Sequence, residues 1–248
     1  IDKALIRSLV KSHPHSASLL KAFLPLLEAQ NALVQELPEL VPPSLDRDAF
    51  AQGKAWFSIR SEDPAILLDE PFVRSAPKKI AQAIANGLPN LKDEARTLGK
   101  MLTDNPHLCR ELVFLHLAGR ANKIKSWAKK HAQHAETAAL FAAHLAATAA
   151  RRFARVAAQS ELPAWSQGHC PLCGSPAHAT CLRGKEGQRF LQCSLCRHEW
   201  RFSRSVCPVC AQESIQDLLV FHLEDKPEER AEACDKCKRY HTARVKRR

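Results

Sequence analysis

The sequence predicts an α+β protein, with an N-terminal all-α domain followed by two small zinc-ribbon β domains. Three observations carry this expectation. Apolar residues recur with helical period up to about residue 165. Beyond residue 169, short strand-length segments alternate with turns. Eight of the ten cysteines fall there too, in four Cys-x-x-Cys pairs. The expected division is therefore a helical domain over 1–165, a first four-cysteine ribbon over 166–206, and a second over 207–248 ending in a basic tail.

In the helical half, 16–37 places Leu19, Leu20, Phe23, Leu27, Leu33 and Val34 on one broad face. Ser16 is a candidate N-cap, and Pro25 is expected to kink the helix or start a new one. The stretch 63–91 is expected to form short helices separated by Pro71, Pro77 and Pro89. Over 105–120, Asn105 should cap, Pro106 should take the first turn, and Gly119 should end the helix. The longest helix should span about 136–159, where alanines favour helix and let neighbours approach closely. The segment 160–169 then breaks the pattern.

The later half contains too few apolar residues to stabilise itself by a core alone. Its cysteine pairs are Cys170/Cys173, Cys193/Cys196, Cys207/Cys210 and Cys234/Cys237. Two residues between cysteines let a tight turn aim both sulfurs at one ion, and two such knuckles complete a tetrahedron. Pairing first with second and third with fourth repeats one plan: knuckle, hairpin, knuckle, strand. The first hairpin would turn at Gly184–Gly187, with 198–206 as the third strand. Segments 214–233 and 239–245 would repeat it. Interleaved pairing, first with third and second with fourth, stays open on spacing alone. Either way, two tetrathiolate-bound ions are expected, and sulfur ligation suits both iron and zinc. Four thiolates close the coordination sphere, so the metals should hold the chain together, with no position left for hydrolytic chemistry.

Other groups read as structural. Cys109 lies on the apolar side of its helix. Cys181 is a spare strand thiol, and His131 and His134 lack a matching carboxylate motif. His169 precedes Cys170 but is not needed as a ligand. Paired, reduced cysteines point to a reducing compartment, the cytoplasm. No apolar run is long enough to insert in a membrane. The formal net charge of +11 falls to about +7 once eight thiolates and two divalent ions are counted, and so favours an acidic partner. The basic stretch 119–131 around Trp127 reads as a solvated helix face, with an acidic-partner surface anchored by Trp127 as its rival.

The segments "CPLCGSPA" (170–177), "GQRFLQCSLCRHEWRFSRSVCPVC" (187–210) and "EACDKCKRY" (232–240) resemble the formate dehydrogenase accessory protein family, FdhE. The resemblance implies a cytoplasmic assembly factor, not an enzyme. Such a factor would bind the catalytic subunit of a molybdenum or tungsten formate dehydrogenase during maturation. It also implies rubredoxin-like metal sites formed by all eight paired cysteines. Arg189, Glu199, Trp200 and Arg204 match the family motif and stand as candidates for ribbon packing or partner contact. Two rivals come from other classes. Tandem ribbons with a basic tail suit a nucleic-acid-binding protein, but few aromatics are available to stack on bases, so nucleic acid is not the expected partner. Iron in such sites could instead carry electrons. Knuckles of that kind usually have Gly after the second Cys, as at Gly174 but not at Arg197, Ala211 or Lys238.

Overall fold

The structure, a computed structural model, describes residues 8, 10–57, 64–224 and 226–246. Helices come first and a mixed β-sheet follows, so the α+β class holds. The chain divides into two compact units, Ile1–Val41 with Asp63–Phe153, and Pro42–Glu62 with Ala154–Arg248.

The first unit is helical. Helix α1 spans Ala17–Glu36 and runs through Pro25. Ser16 precedes it without making a side-chain capping bond. A short helix α2, Arg47–Ala51, belongs to the second unit. Where several short helices were expected, a single helix α3 covers Glu70–Gly87. Pro71 sits harmlessly in its first turn, and the Asp69 carboxylate caps it by accepting from the Phe72 amide at 3.1 Å. Pro77 removes one helical bond, at a cost of about 3 kcal/mol. Against that, Phe72, Val73, Ala76, Ile80, Ala81 and Ile84 are all buried along the same helix, each large side chain contributing about 1.5–3 kcal/mol. Burial wins, and the helix continues.

Helix α4 spans Lys92–Asp104, α5 Pro106–Leu117, α6 Ala121–Lys130 and α7 Ala135–Ala157. Asn105 does not cap α5. Its amide instead donates to Met101 O at 2.9 Å, finishing α4. Helix α3 packs on α1, α4 and α5, and Phe72, Phe141, Leu26, Leu33, Leu98 and Leu102 are among the fully buried side chains of this unit. Trp127 is buried, with its indole N–H on Glu111 Oε2 at 3.1 Å, so it cannot anchor a partner. Lys123, Lys125, Lys129 and Lys130 around it are solvated. Among the described residues, no helix is long and apolar enough to cross a membrane.

The second unit is built on one six-stranded sheet. Its strands are β1 Ala177–Arg183, β2 Gln188–Cys193, β3 Glu199–Arg201, β4 Leu218–Leu223, β5 Lys226–Cys234 and β6 Arg239–Lys246, in the order β3-β2-β1-β6-β5-β4. Each ribbon is antiparallel within itself. The β1/β2 hairpin turns between Gly184 and Gly187, both at positive φ. The two ribbons join because β1 pairs in parallel with β6, Ala179 opposite Thr242 and Leu182 opposite Val245. That pairing satisfies two strand edges that separate ribbons would leave open. It also takes the basic tail into the sheet through Lys246, while Arg247 and Arg248 lie outside the described residues.

Candidate metal centres

Each knuckle is the same small machine. The first cysteine's N–H donates to the carbonyl five residues on, as in Cys170 to Ser175, Cys193 to His198 and Cys207 to Gln212, all at 2.9 Å. The residue after the second cysteine takes a left-handed conformation: Gly174 at φ 70°, Arg197 at 65°, Ala211 at 57° and Lys238 at 56°. At Gly174, Ala211 and Lys238 that residue's N–H returns to the first cysteine's carbonyl at 2.9 Å. The turn leaves inner amides free to face sulfur. Leu195 and Cys196 N–H lie 3.4 Å from Cys193 Sγ, and Val209 N–H lies 3.4 Å from Cys207 Sγ.

These turns bring first to second and third to fourth. The sulfurs of Cys170, Cys173, Cys193 and Cys196 all lie within 4.8 Å of one another, as do those of Cys207, Cys210, Cys234 and Cys237. Neighbouring sulfurs stand 3.4–3.6 Å apart in the first cluster and 3.8 Å apart in the second. A tetrahedron with metal–sulfur bonds of about 2.3 Å has edges of about 3.8 Å, so both donor sets fit one ion each. Neither His169 nor Cys181 joins a cluster. His169 Nε2 lies 3.1 Å from Gly53 O, and Cys181 sits in β1 opposite Phe190.

Crowded thiols cannot ionise alike. Cys193 is held far below the usual thiol range by the Cys170, Cys173 and Cys196 thiols that donate to it, while burial pushes Cys170 well up. In the second cluster, burial pushes Cys207 up to about 12. Burial also works upward on Cys234, but the Cys237 amide and the neighbouring thiols outweigh it and bring it to about 7. In each cluster one cysteine is thus shifted toward the thiolate form that binds a cation. The two differ in shelter: every ligand of the first is buried, whereas Cys210 is exposed and Cys237 half-buried.

The surroundings fix these sites in place. Trp56 N–H donates to Pro171 O at 2.8 Å and Phe57 N–H to Leu172 O at 2.9 Å, so an early segment of the chain backs the first knuckle. Phe50 packs on Trp165, with ring centroids 4.6 Å apart, and Trp165 donates to His169 O. Between the ribbons, Gly168 approaches Pro208 so closely that a Cβ there would lie 1.9 Å from Pro208 O.

The four motif candidates have separate positions. Arg189 is 4% exposed and ties the ribbons together: it donates to Ser203 O at 3.2 Å and Val206 O at 3.1 Å, and pairs with Glu232 of β5 at 2.8 Å. Burial lowers its pKa and the Glu232 carboxylate raises it. Trp200 is buried, with its indole N–H on Gln167 O at 3.1 Å. Glu199 pairs with Arg183 and accepts from Gln192 at 3.0 Å. Arg204 is exposed and donates to Glu186 O at 3.2 Å. Sequence reasoning missed Glu232 as the partner of Arg189. A signal existed, since the alternation Arg189, Leu191, Cys193 puts that arginine on the covered face of β2.

Comparison with known proteins meets this geometry at the first ribbon. Residues 169–204 match the family model "FdhE, central domain". A protein FdhE homolog of Pseudomonas putida is 44% identical over 87 residues, 32% of this chain and 27% of that protein. One from Shewanella oneidensis is 37% identical over 76 residues, 30% of this chain and 25% of its own length. These matches span about a quarter of the relatives' length. The crystal structure of the FdhE protein from Pseudomonas aeruginosa aligns over 97% of this chain and 80% of its own, with a TM-score of 0.66 and 22% identity. That likeness is one of fold. In sequence over residues 169–204, and in fold along nearly the whole chain, the protein is similar to FdhE proteins.

Proposed function

We propose that the protein is an accessory factor for a formate dehydrogenase, one that binds the catalytic subunit of a molybdenum or tungsten enzyme during maturation in the cytoplasm. The match of residues 169–204 to the FdhE central domain carries the reading. The eight paired cysteines would ligate two metal ions, zinc or iron, as shape-holding centres. Four-sulfur sites offer no open position for substrate, which supports a binding role over an enzymatic one. Arg204 and Glu199 keep more exposure than Arg189 and Trp200, which makes them the better candidates for partner contact. Co-expression of the metal-loaded protein with a formate dehydrogenase catalytic subunit should yield a complex that co-purifies. Failure with both the precursor and the mature subunit overturns the reading.

One observation favours a second reading. Phe221 and Tyr240 are 58% and 70% exposed and lie on the same sheet face as the cationic Arg244 of β6, an arrangement suited to stacking on single-stranded nucleic acid. Salt-dependent RNA or DNA binding, abolished by Tyr240→Ala with Phe221→Ala, would establish it.

A further inference from the structure

A half-open cavity of about 300 Å³ lies between the two ribbons beside Cys207 and Cys234. Arg189, Arg204, Arg230, Arg239 and His241 line it, together with Ile215, Leu218, Leu219 and Val220. Glu232 is the one carboxylate in the lining, and it is already engaged by Arg189 at 2.8 Å and Arg230 at 3.0 Å. Three of the lining side chains also hold buried nitrogens that lack a hydrogen-bond partner among the described residues: Arg189 Nε, Arg230 Nε and His241 Nε2. Arg189 and His241 are both more than nine-tenths buried. Such groups have given up water without gaining an acceptor. Four arginines around one cavity, with its single carboxylate already shared, leave cationic donors suited to an anionic occupant.

We propose that this cavity binds a carboxylate carried on an apolar body. Four guanidinium groups outnumber by one the negative charges of Glu232 and of a tetrathiolate holding a divalent ion. A single positive excess matches a monoanion better than a phosphate dianion. The carboxylate oxygens would accept from guanidinium N–H groups that face the cavity, whose geometry suits their two-pronged shape. The four aliphatic side chains would cover the apolar remainder. This assignment is independent of the accessory-factor reading.

Calorimetric titration of the full chain with both clusters metal-filled tests it. The probes are acetate, the acid and amide forms of N-acetyl-leucyl-valine, and inorganic phosphate. The acid form should bind and the amide should not. Tighter binding of the peptide acid than of acetate assigns the carboxylate to a polypeptide end, and equal binding assigns it to a small free acid. Arg239 is exposed and makes the safer variant, so Arg239→Gln should weaken binding by roughly tenfold or more while two metal ions are retained. Arg230→Gln serves as the second variant. The proposal is overturned if neither acid binds, if phosphate binds more tightly than both, or if both variants keep two metals and full affinity.

Discussion

Every one of the four knuckles closes on a residue in the left-handed region, and three of those residues carry side chains. A non-glycine residue there costs about 1–2 kcal/mol, while glycine loses about 0.5–1 kcal/mol more entropy than alanine on folding. The first effect is larger. Ala211→Gly should therefore stabilise the second ribbon by about 0.5–1 kcal/mol, seen as a rise of about 1–4 °C in the metal-loaded melting temperature. No rise, or a fall, would show that the local geometry is not strained. A second test at this scale concerns Arg152, which is 2% exposed and bonds Asp69 through both carboxylate oxygens, at 2.9 and 3.1 Å, and Pro38 O at 2.7 Å. Arg152→Met strands Pro38 O and leaves the Asp69 carboxylate with the Phe72 amide but without its counter-ion. Because Asp69 is partly solvated, the loss should fall near the low end for a broken buried pair, about 3 kcal/mol by urea unfolding. The eight cysteines were legible in the sequence because spacing alone encodes a knuckle. Arg189 with Glu232 was not, since that pair exists only once β2 and β5 are brought into one sheet.

Helix and strand contacts set how close elements come, and glycines mark the closest approaches. A Cβ on Gly99 of α4 would lie 2.4 Å from the Ala81 Cβ of α3. In an isolated helix, Gly→Ala would stabilise by up to about 1 kcal/mol. Here the added methyl must push two packed helices apart, at about 1–3 kcal/mol. Gly99→Ala should thus lower the stability of the helical unit, and a higher melting temperature would contradict this packing. Gly168→Ala presses on backbone at Pro208 instead, so its larger effect should fall on the second unit, read by loss of metal-loaded β structure. At this scale the sequence was a good guide to helices with simple punctuation. Helices α5 and α7 lie close to where periodicity put them. It failed at α3, where the prolines at 71 and 77 read as breaks. Local propensity says nothing of the long row of contacts that keeps such a helix whole. The three-strand plan of each ribbon was visible too, whereas the parallel β1–β6 seam was not. Its partners lie some sixty residues apart and carry no local turn signal.

For the molecule as a whole, the two clusters should behave as unequal anchors of one sheet. All four sulfurs of the first are buried, but Cys210 and Cys237 expose the second to solvent and to chelators. Because the parallel seam unites both ribbons, losing one ion should loosen the sheet without removing the other ribbon's pairing. The helical unit contributes no ligand to either cluster and should keep its structure. A chelator added to protein carrying two zinc ions should therefore extract metal in two phases of equal amplitude. Cys210→Ser should abolish the fast phase and leave the slow one. Thiols must lose their protons to bind metal, so metal affinity rises with pH, and lowering the pH from about 8 to about 6 should speed both phases. Far-ultraviolet dichroism should retain its helical signal after the second phase while the β contribution falls. Each structural zinc site can contribute about 10–16 kcal/mol of apparent binding energy, far more than a small sheet gains from its own core. A single-phase release, or helix loss in step with the metal, would mean that the clusters and helices stand or fall as one cooperative body.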